Sequence, residues 1–113
     1  YRAGIEVAIM AVDDDNTRNL PHHAGFAAAH GLPREGALRS ITYTPAKLLG
    51  LEQELGSLAV GKLADVVVTD GDLLEATSRV LTVLIDGRVQ DLGNRQTELY
   101  ETYRQRLQRL RKE

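Results

Sequence analysis

An apolar ribbon that runs straight into three consecutive acids is the feature that most narrows the folds open to this chain. Ile5 to Val12 reads IEVAIMAV, interrupted only by Glu6, and ends in Asp13-Asp14-Asp15-Asn16. A strand-length run that is apolar at nearly every position is the pattern of a strand buried on both faces, as in parallel sheets covered by helices; periodicity alone also allows a buried helix. Helical punctuation follows: Pro21 in the position of a first helical turn, then HHAGFAAAH, then a stop at Gly31. Strand, acidic loop and helix make one βα unit. A doubly buried strand needs neighbours, however, and the chain offers no second unit of this kind. The economical expectation is that the ribbon is the last strand of a larger sheet whose earlier strands lie outside these residues. Pairing with the chain's own β unit, or with a second copy, is the alternative.

Two more short helices are expected before Gly50, one opened by Pro33 with Ala37, Leu38 and Ile41 as its apolar side, the other capped at Thr44-Pro45. Beyond Gly50 the period changes. Gly56 to Lys62 fits turns and short strand pieces, Ala64–Thr69 (ADVVVT) is β-branched, and Val80–Ile85 and Val89–Leu92 flank Asp86-Gly87, a tight hairpin signal. From Asn94 the pattern is helical again, with Leu99, Tyr103, Leu107 and Leu110 as an apolar stripe on a charged helix. The expected organisation is therefore residues 1–52 as strand and helices, 53–93 as a small antiparallel β unit, and 94–113 as an amphipathic helix.

The overall charge balance excludes several partners. Fourteen basic against sixteen acidic residues leave a net charge of −2, which provides no electrostatic footprint for nucleic acid or for an anionic membrane. No apolar run approaches the roughly 18 residues of a membrane span. With no cysteine, thiolate metal sites and cysteine nucleophiles are excluded. The chain opens Tyr1-Arg2-Ala3-Gly4 without an initiator Met, the expectation for a trimmed or partial chain, so compartment is not read from it.

Two constellations could carry chemistry. His22-His23 and His30 suggest a metal, but adjacent helical residues project about 100° apart, so His22 and His23 do not share one; packing or surface histidines are the default. Asp13 stands where a buried strand ends, and in α/β architectures ligands and catalysis gather at that carboxyl end. A carboxylate there can bind a divalent cation and accept a proton from water. The competing reading is a solvated turn at a helix entry. The acidic run lacks the glycine and bidentate Glu of a calcium loop. Gly56…Gly61-Lys62 lacks the Ser/Thr of a phosphate loop, since Leu63 follows.

The stretch Gly56-Ser57-Leu58-Ala59-Val60-Gly61-Lys62-Leu63-Ala64-Asp65-Val66-Val67-Val68-Thr69-Asp70-Gly71-Asp72 resembles the C-terminal signature of the amidohydrolase superfamily. Gly31-Leu32-Pro33-Arg34-Glu35, Pro45-Ala46-Lys47 through Gly50, and Ile85-Asp86-Gly87-Arg88 match in the same order. Arg18-Asn19-Leu20-Pro21 and Asn94 to Tyr100, with Tyr103, are similar to an imidazolonepropionase-like and prolidase-like subgroup.

The resemblance implies an α/β segment: the last βα unit of a (β/α)8 metal-dependent hydrolase (TIM) barrel, the C-terminal part of a small β-sandwich composite domain, and a terminal helix. It implies hydrolysis of a C–N bond in an amide, cyclic amide or dipeptide, with Zn2+ or a similar divalent metal. The family's catalytic aspartate maps to Asp13, as metal-touching proton shuttle, with Asp14 as second choice if the register slips by one. Val12 departs from the small hydroxyl residue common before that aspartate, and Leu73 from the usual proline. The family's other metal ligands precede this region, so no metal is expected on this segment alone and the segment alone is expected to be inactive. The expected partners are the remaining barrel or a second copy, with a small-molecule substrate for the whole enzyme. The rival expectation is a non-catalytic interaction or oligomerisation domain, because the apolar strands need covering.

Overall fold

The computed structural model describes residues 1, 3–13 and 16–111. A 3-10 turn, Thr17–Asn19, leads into α1 (Leu20–Ala29), α2 (Arg34–Ser40) and α3 (Tyr43–Leu48). Pro21 sits in the first turn of α1, where its missing N–H leaves no bond unmade. Both α1 and α3 end on a glycine with positive φ, Gly31 at 103° and Gly50 at 73°. The Leu32 N–H then reaches the Ala27 carbonyl, and the Leu51 N–H that of Ala46, at 3.0 and 2.8 Å, satisfying carbonyls that the helix end leaves free. Pro33 is the residue before α2 rather than its first member, and α3 begins at Tyr43, one residue ahead of the expected cap.

The second half is a three-stranded antiparallel sheet, β1 (Val66–Thr69), β2 (Val80–Ile85) and β3 (Arg88–Val89), in that order. Val66 lies opposite Leu84 and Leu84 opposite Val89, so these three share one face; a bulge falls between Val68 and Thr69. Asp86 and Gly87 both have positive φ, 50° and 72°, the geometry a two-residue hairpin requires. The stretch from Leu51 to Asp65 forms turns without a strand. Lys62 organises it: its ammonium donates to the Glu52 carbonyl and to the Ser57 hydroxyl, the latter at 2.6 Å. Finally α4 (Arg95–Leu110) starts with a reciprocal cap in which Asn94 and Thr97 each bond the other's backbone.

The interior is a seam of small residues. Ala24, Ala37 and Leu74 form its centre, with Ile9, Ala28, Leu32 and Ile41 packed around them. A side chain at Gly25 would place its Cβ 2.5 Å from the Leu74 carbonyl oxygen, so α1 and the loop after β1 touch through backbone. No helix packs on either face of the sheet among the described residues.

This leaves the molecule extended. A compact monomer of this mass exposes about 6,200 Å², whereas this chain exposes 9066 Å². Its radius of gyration is 17.7 Å, against about 13 Å for a compact domain of this length.

Candidate functional site

The apolar ribbon is extended but is not a strand, because a strand is defined by paired neighbours. Among the described residues, one ribbon amide makes a backbone bond to the helices: Ile9 N–H donates to the Ser40 carbonyl at 2.9 Å. Ile9 alone points into the alanine seam. Ile5, Met10 and Val12 are 64%, 76% and 91% exposed. The expectation of a strand buried on both faces therefore meets a ribbon covered on one side only, by α1 and α2.

Two polar contacts fix where this ribbon lies. Glu6, the sole polar interruption of the run, accepts from the Lys47 ammonium on α3 with both carboxylate oxygens, at 2.8 and 2.9 Å. That hydrogen bond, and behind it the Coulomb attraction of Glu6, holds the Lys47 pKa above its ordinary value. Buried Ser40, which receives the Ile9 amide through its carbonyl, turns its hydroxyl back to Ala37 O at 2.6 Å.

Asp13 is exposed at the end of the ribbon. Its Oδ1 accepts from the Asn16 backbone N–H at 2.9 Å and from Asn16 Nδ2 at 2.8 Å; Nδ2 also lies 3.0 Å from Oδ2. Thr17 Oγ1 donates to the Asp13 carbonyl. The carboxylate is thus aimed by the loop it terminates. Among the described residues Oδ2 receives one donor, which leaves it a lone pair for a further partner. Asp14, the alternative from a one-residue slip, lies outside the described residues.

The histidines do not gather. His30 closes α1 with Nδ1 2.8 Å from the Phe26 carbonyl, and His22 lines an open groove beside Phe26, Arg34 and Leu74. Among the described residues no three His, Asp or Glu side chains are placed to hold a metal ion. Asp13 therefore fits a divalent cation as one oxygen ligand of a set, not as a site by itself. Sequence reading passed over Glu6, Lys47 and Asn16. The signal for Asn16 is its spacing, since an Asp whose side chain accepts from the backbone three residues on is an ordinary turn cap.

Comparison with known proteins decides the family. The model of the amidohydrolase family matches residues 4–90, well over half of the chain. The chain belongs to the amidohydrolase family. It is 40% identical over 82 residues to the amidohydrolase tasK of Hapsidospora irregularis, covering 70% of this chain and 8% of that protein. Against the adenine deaminase of Moorella thermoacetica it is 33% identical over 95 residues, covering 76% of this chain and 15% of the deaminase. The crystal structure of an amidohydrolase from Thermotoga maritima superposes with a TM-score of 0.75 at 34% identity, over 80% of this chain and 24% of that one. This amidohydrolase chain thus spans under a quarter of the length of each of these three proteins. Lys62, within the matched stretch, is a turn clamp, and α4 lies outside the matched residues.

Proposed function

We propose that this chain is the closing C-terminal part of a metal-dependent amidohydrolase whose whole chain cleaves a C–N bond, with Asp13 as its proton shuttle. The observation that carries the reading is the half-covered ribbon. Its inner side is held to α1–α3 and its outer side is apolar and exposed, while its carboxyl end presents a loop-oriented carboxylate. In this reading residues 1–52 supply the eighth strand and last helices of a (β/α)8 barrel. Residues 53–93 supply part of a β-sandwich whose remaining strands cover the sheet, and residues 94–113 the terminal helix.

Asp13 would be one oxygen ligand of the metal, Zn2+ or a similar divalent ion, which supplies Lewis acidity and a lowered water pKa when bound. The rest is done by this chain's own groups. Asn16, donating to Oδ1, fixes the carboxylate plane; Oδ2 takes the proton of the attacking water and delivers it to the departing nitrogen, so that one group serves as base and then acid. The kinship with an adenine deaminase supports attack at a carbon bonded to nitrogen.

The test is Asp13→Asn in the intact enzyme, assayed on a panel of amides, cyclic amides and dipeptides. Asn keeps the shape and the Asn16 contact but not the basicity, so kcat should fall on the order of 10²–10⁴-fold, the usual size of general acid–base catalysis. Retained activity in Asp13→Asn overturns the role of Asp13. Measurable zinc-dependent turnover by residues 1–113 alone overturns the reading that the site is shared with the remaining barrel.

A further inference from the structure

Asp13 stands at the end of a ribbon whose apolar contact with the helices is smooth. Ile9 packs on the cluster of Ala24, Ala37 and Leu74. Such contact is non-directional, so it holds the ribbon down without fixing where along the helices it lies. Direction comes from two polar contacts. The Ile9 N–H donates to the Ser40 carbonyl of α2 at 2.9 Å. Three residues earlier, both oxygens of the Glu6 carboxylate accept from the Lys47 ammonium of α3, at 2.8 and 2.9 Å. Positions three apart on extended chain are separated by about 10 Å. One contact fixes a point; two at that spacing fix a line.

The far end of the ribbon is held from the other side. The Asp13 carbonyl accepts from Thr17 Oγ1 at 3.1 Å and its carboxylate from Asn16, both in the turn that enters α1. Asp13 is therefore placed by two attachments, a turn onto α1 and a ribbon pinned to α2 and α3. Among the described residues, Glu6–Lys47 is the only ion pair that involves the ribbon. A carboxylate within an apolar run is costly unless paired, and Lys47 supplies the pairing. Both partners belong to this chain, so the contact stands whatever covers the ribbon's outer face. Each side chain is now 46% exposed, where an ion pair adds little to stability. Covering that face would reduce screening and strengthen the pair. Ladder bonds to neighbouring barrel strands would set the ribbon within its sheet and leave its place on the helices to these two contacts.

We propose that Glu6 and Lys47 are positioning residues for Asp13: their ion pair sets where the ribbon lies on α3, and so where its carboxylate-bearing end stands. This rests on the reading of Asp13 as proton shuttle.

The experiment is steady-state kinetics on the intact enzyme, with Zn2+ retained after dialysis against a chelator as a second readout. Glu6→Gln combined with Lys47→Met removes the pair without leaving a lone charge. It should lower kcat about tenfold, since a displacement of about 1 Å at a reacting group costs up to about 100-fold. KM should hardly move, and retained Zn2+ should fall. Lys47→Arg, which still donates to Glu6, should keep most of the native kcat. In an Asp13→Asn background the double change should lower kcat no further, because the pair acts through Asp13; a general loss of folding would add to the Asp13 effect instead. Native kcat in the double variant, beside a large loss in Asp13→Asn, overturns the positioning role and leaves the shuttle reading intact. A tenfold loss that recurs in the Asp13→Asn background also overturns it. Full activity in Asp13→Asn overturns both.

Discussion

Arg34 at the start of α2 grips Asp72 in the loop after β1, with Nε 2.9 Å from Oδ2 and the guanidinium also bonded to Glu75 at 2.9 Å. The partners are 38 residues apart, and among the described residues no helix packs on the sheet. With the Leu74 side chain in the alanine seam, this fork joins the loop after β1 to the helical layer, while Gly56, packed against Ala46 and Tyr43, joins the turns before β1 to α3. Arg34→Lys keeps the charge but loses the planar two-point grip. Hydrogen exchange in residues 70–76 should therefore quicken in Arg34→Lys, and more in Arg34→Ala, with α4 unchanged. Equal exchange in all three would deny the fork this role.

Acid should loosen the same loop. The Leu74 backbone N–H, and then Arg34, hold Asp72 below the ordinary carboxylate pKa; the Arg79 backbone N–H and side chain do the same for Asp70. A carboxylate whose folded pKa lies below its unfolded one contributes stability that is fully present above the unfolded pKa, about 3.9, and is lost as pH falls through the folded value. Melting temperature should drop below about pH 4. The drop should be shallower in a protein carrying Asp70→Asn and Asp72→Asn. Identical acid profiles for the two proteins would remove these groups from the account.

Much of this arrangement was legible beforehand, for reasons that lie in local chemistry. Gly31, Gly50 and Asp86-Gly87 act through their own backbone angles, so their elements end where the sequence says. Asn94 and Thr97 cap α4 within a single turn, and its start is equally local. Position along a helix is less so: Pro33 fits either the first turn or the residue before it, and Pro45 any place in the first turn, hence the displacement of α2 by one residue and of α3 by two. The ribbon illustrates the larger gap. Its composition reports a buried environment, whereas strand pairing depends on neighbours, and among the described residues one ribbon amide, that of Ile9, bonds the helices. Glu6 and Lys47 were invisible as a pair because a contact 41 residues apart leaves no spacing signal. Asn16's orientation of Asp13, by contrast, could have been read from their separation of three.

Close packing at Gly25 makes a sharp test of the seam. Alanine in a helix interior ordinarily gains about 1 kcal/mol over glycine. Here the added Cβ would lie 2.5 Å from a backbone oxygen of Leu74, which cannot rotate away as a side chain end could. Overpacking of this sort costs about 1–3 kcal/mol, so the clash should outweigh the propensity gain. Gly25→Ala should lower the denaturation midpoint; an unchanged or raised midpoint would mean that the loop after β1 yields freely.

Among the described residues, Leu74 is the only large side chain in the buried apolar set, the others being alanines. Leu→Ala in a core typically costs 2–5 kcal/mol, and the cost grows with the cavity that remains. The seam around Leu74 is formed by the ribbon's Ile9 and by α1 and α2, whose close backbone approach leaves little freedom to collapse. Leu74→Ala should therefore cost about 2–4 kcal/mol, and Leu74→Met less than about 1.5. Because Leu74 and Arg34 join the same two layers, the double change Leu74→Ala with Arg34→Ala should differ from the sum of the single ones, as contacts sharing one interface do. Strict additivity in chemical denaturation would show that the seam and the ionic fork act independently, and that the β unit is tied to the helices at two separate places.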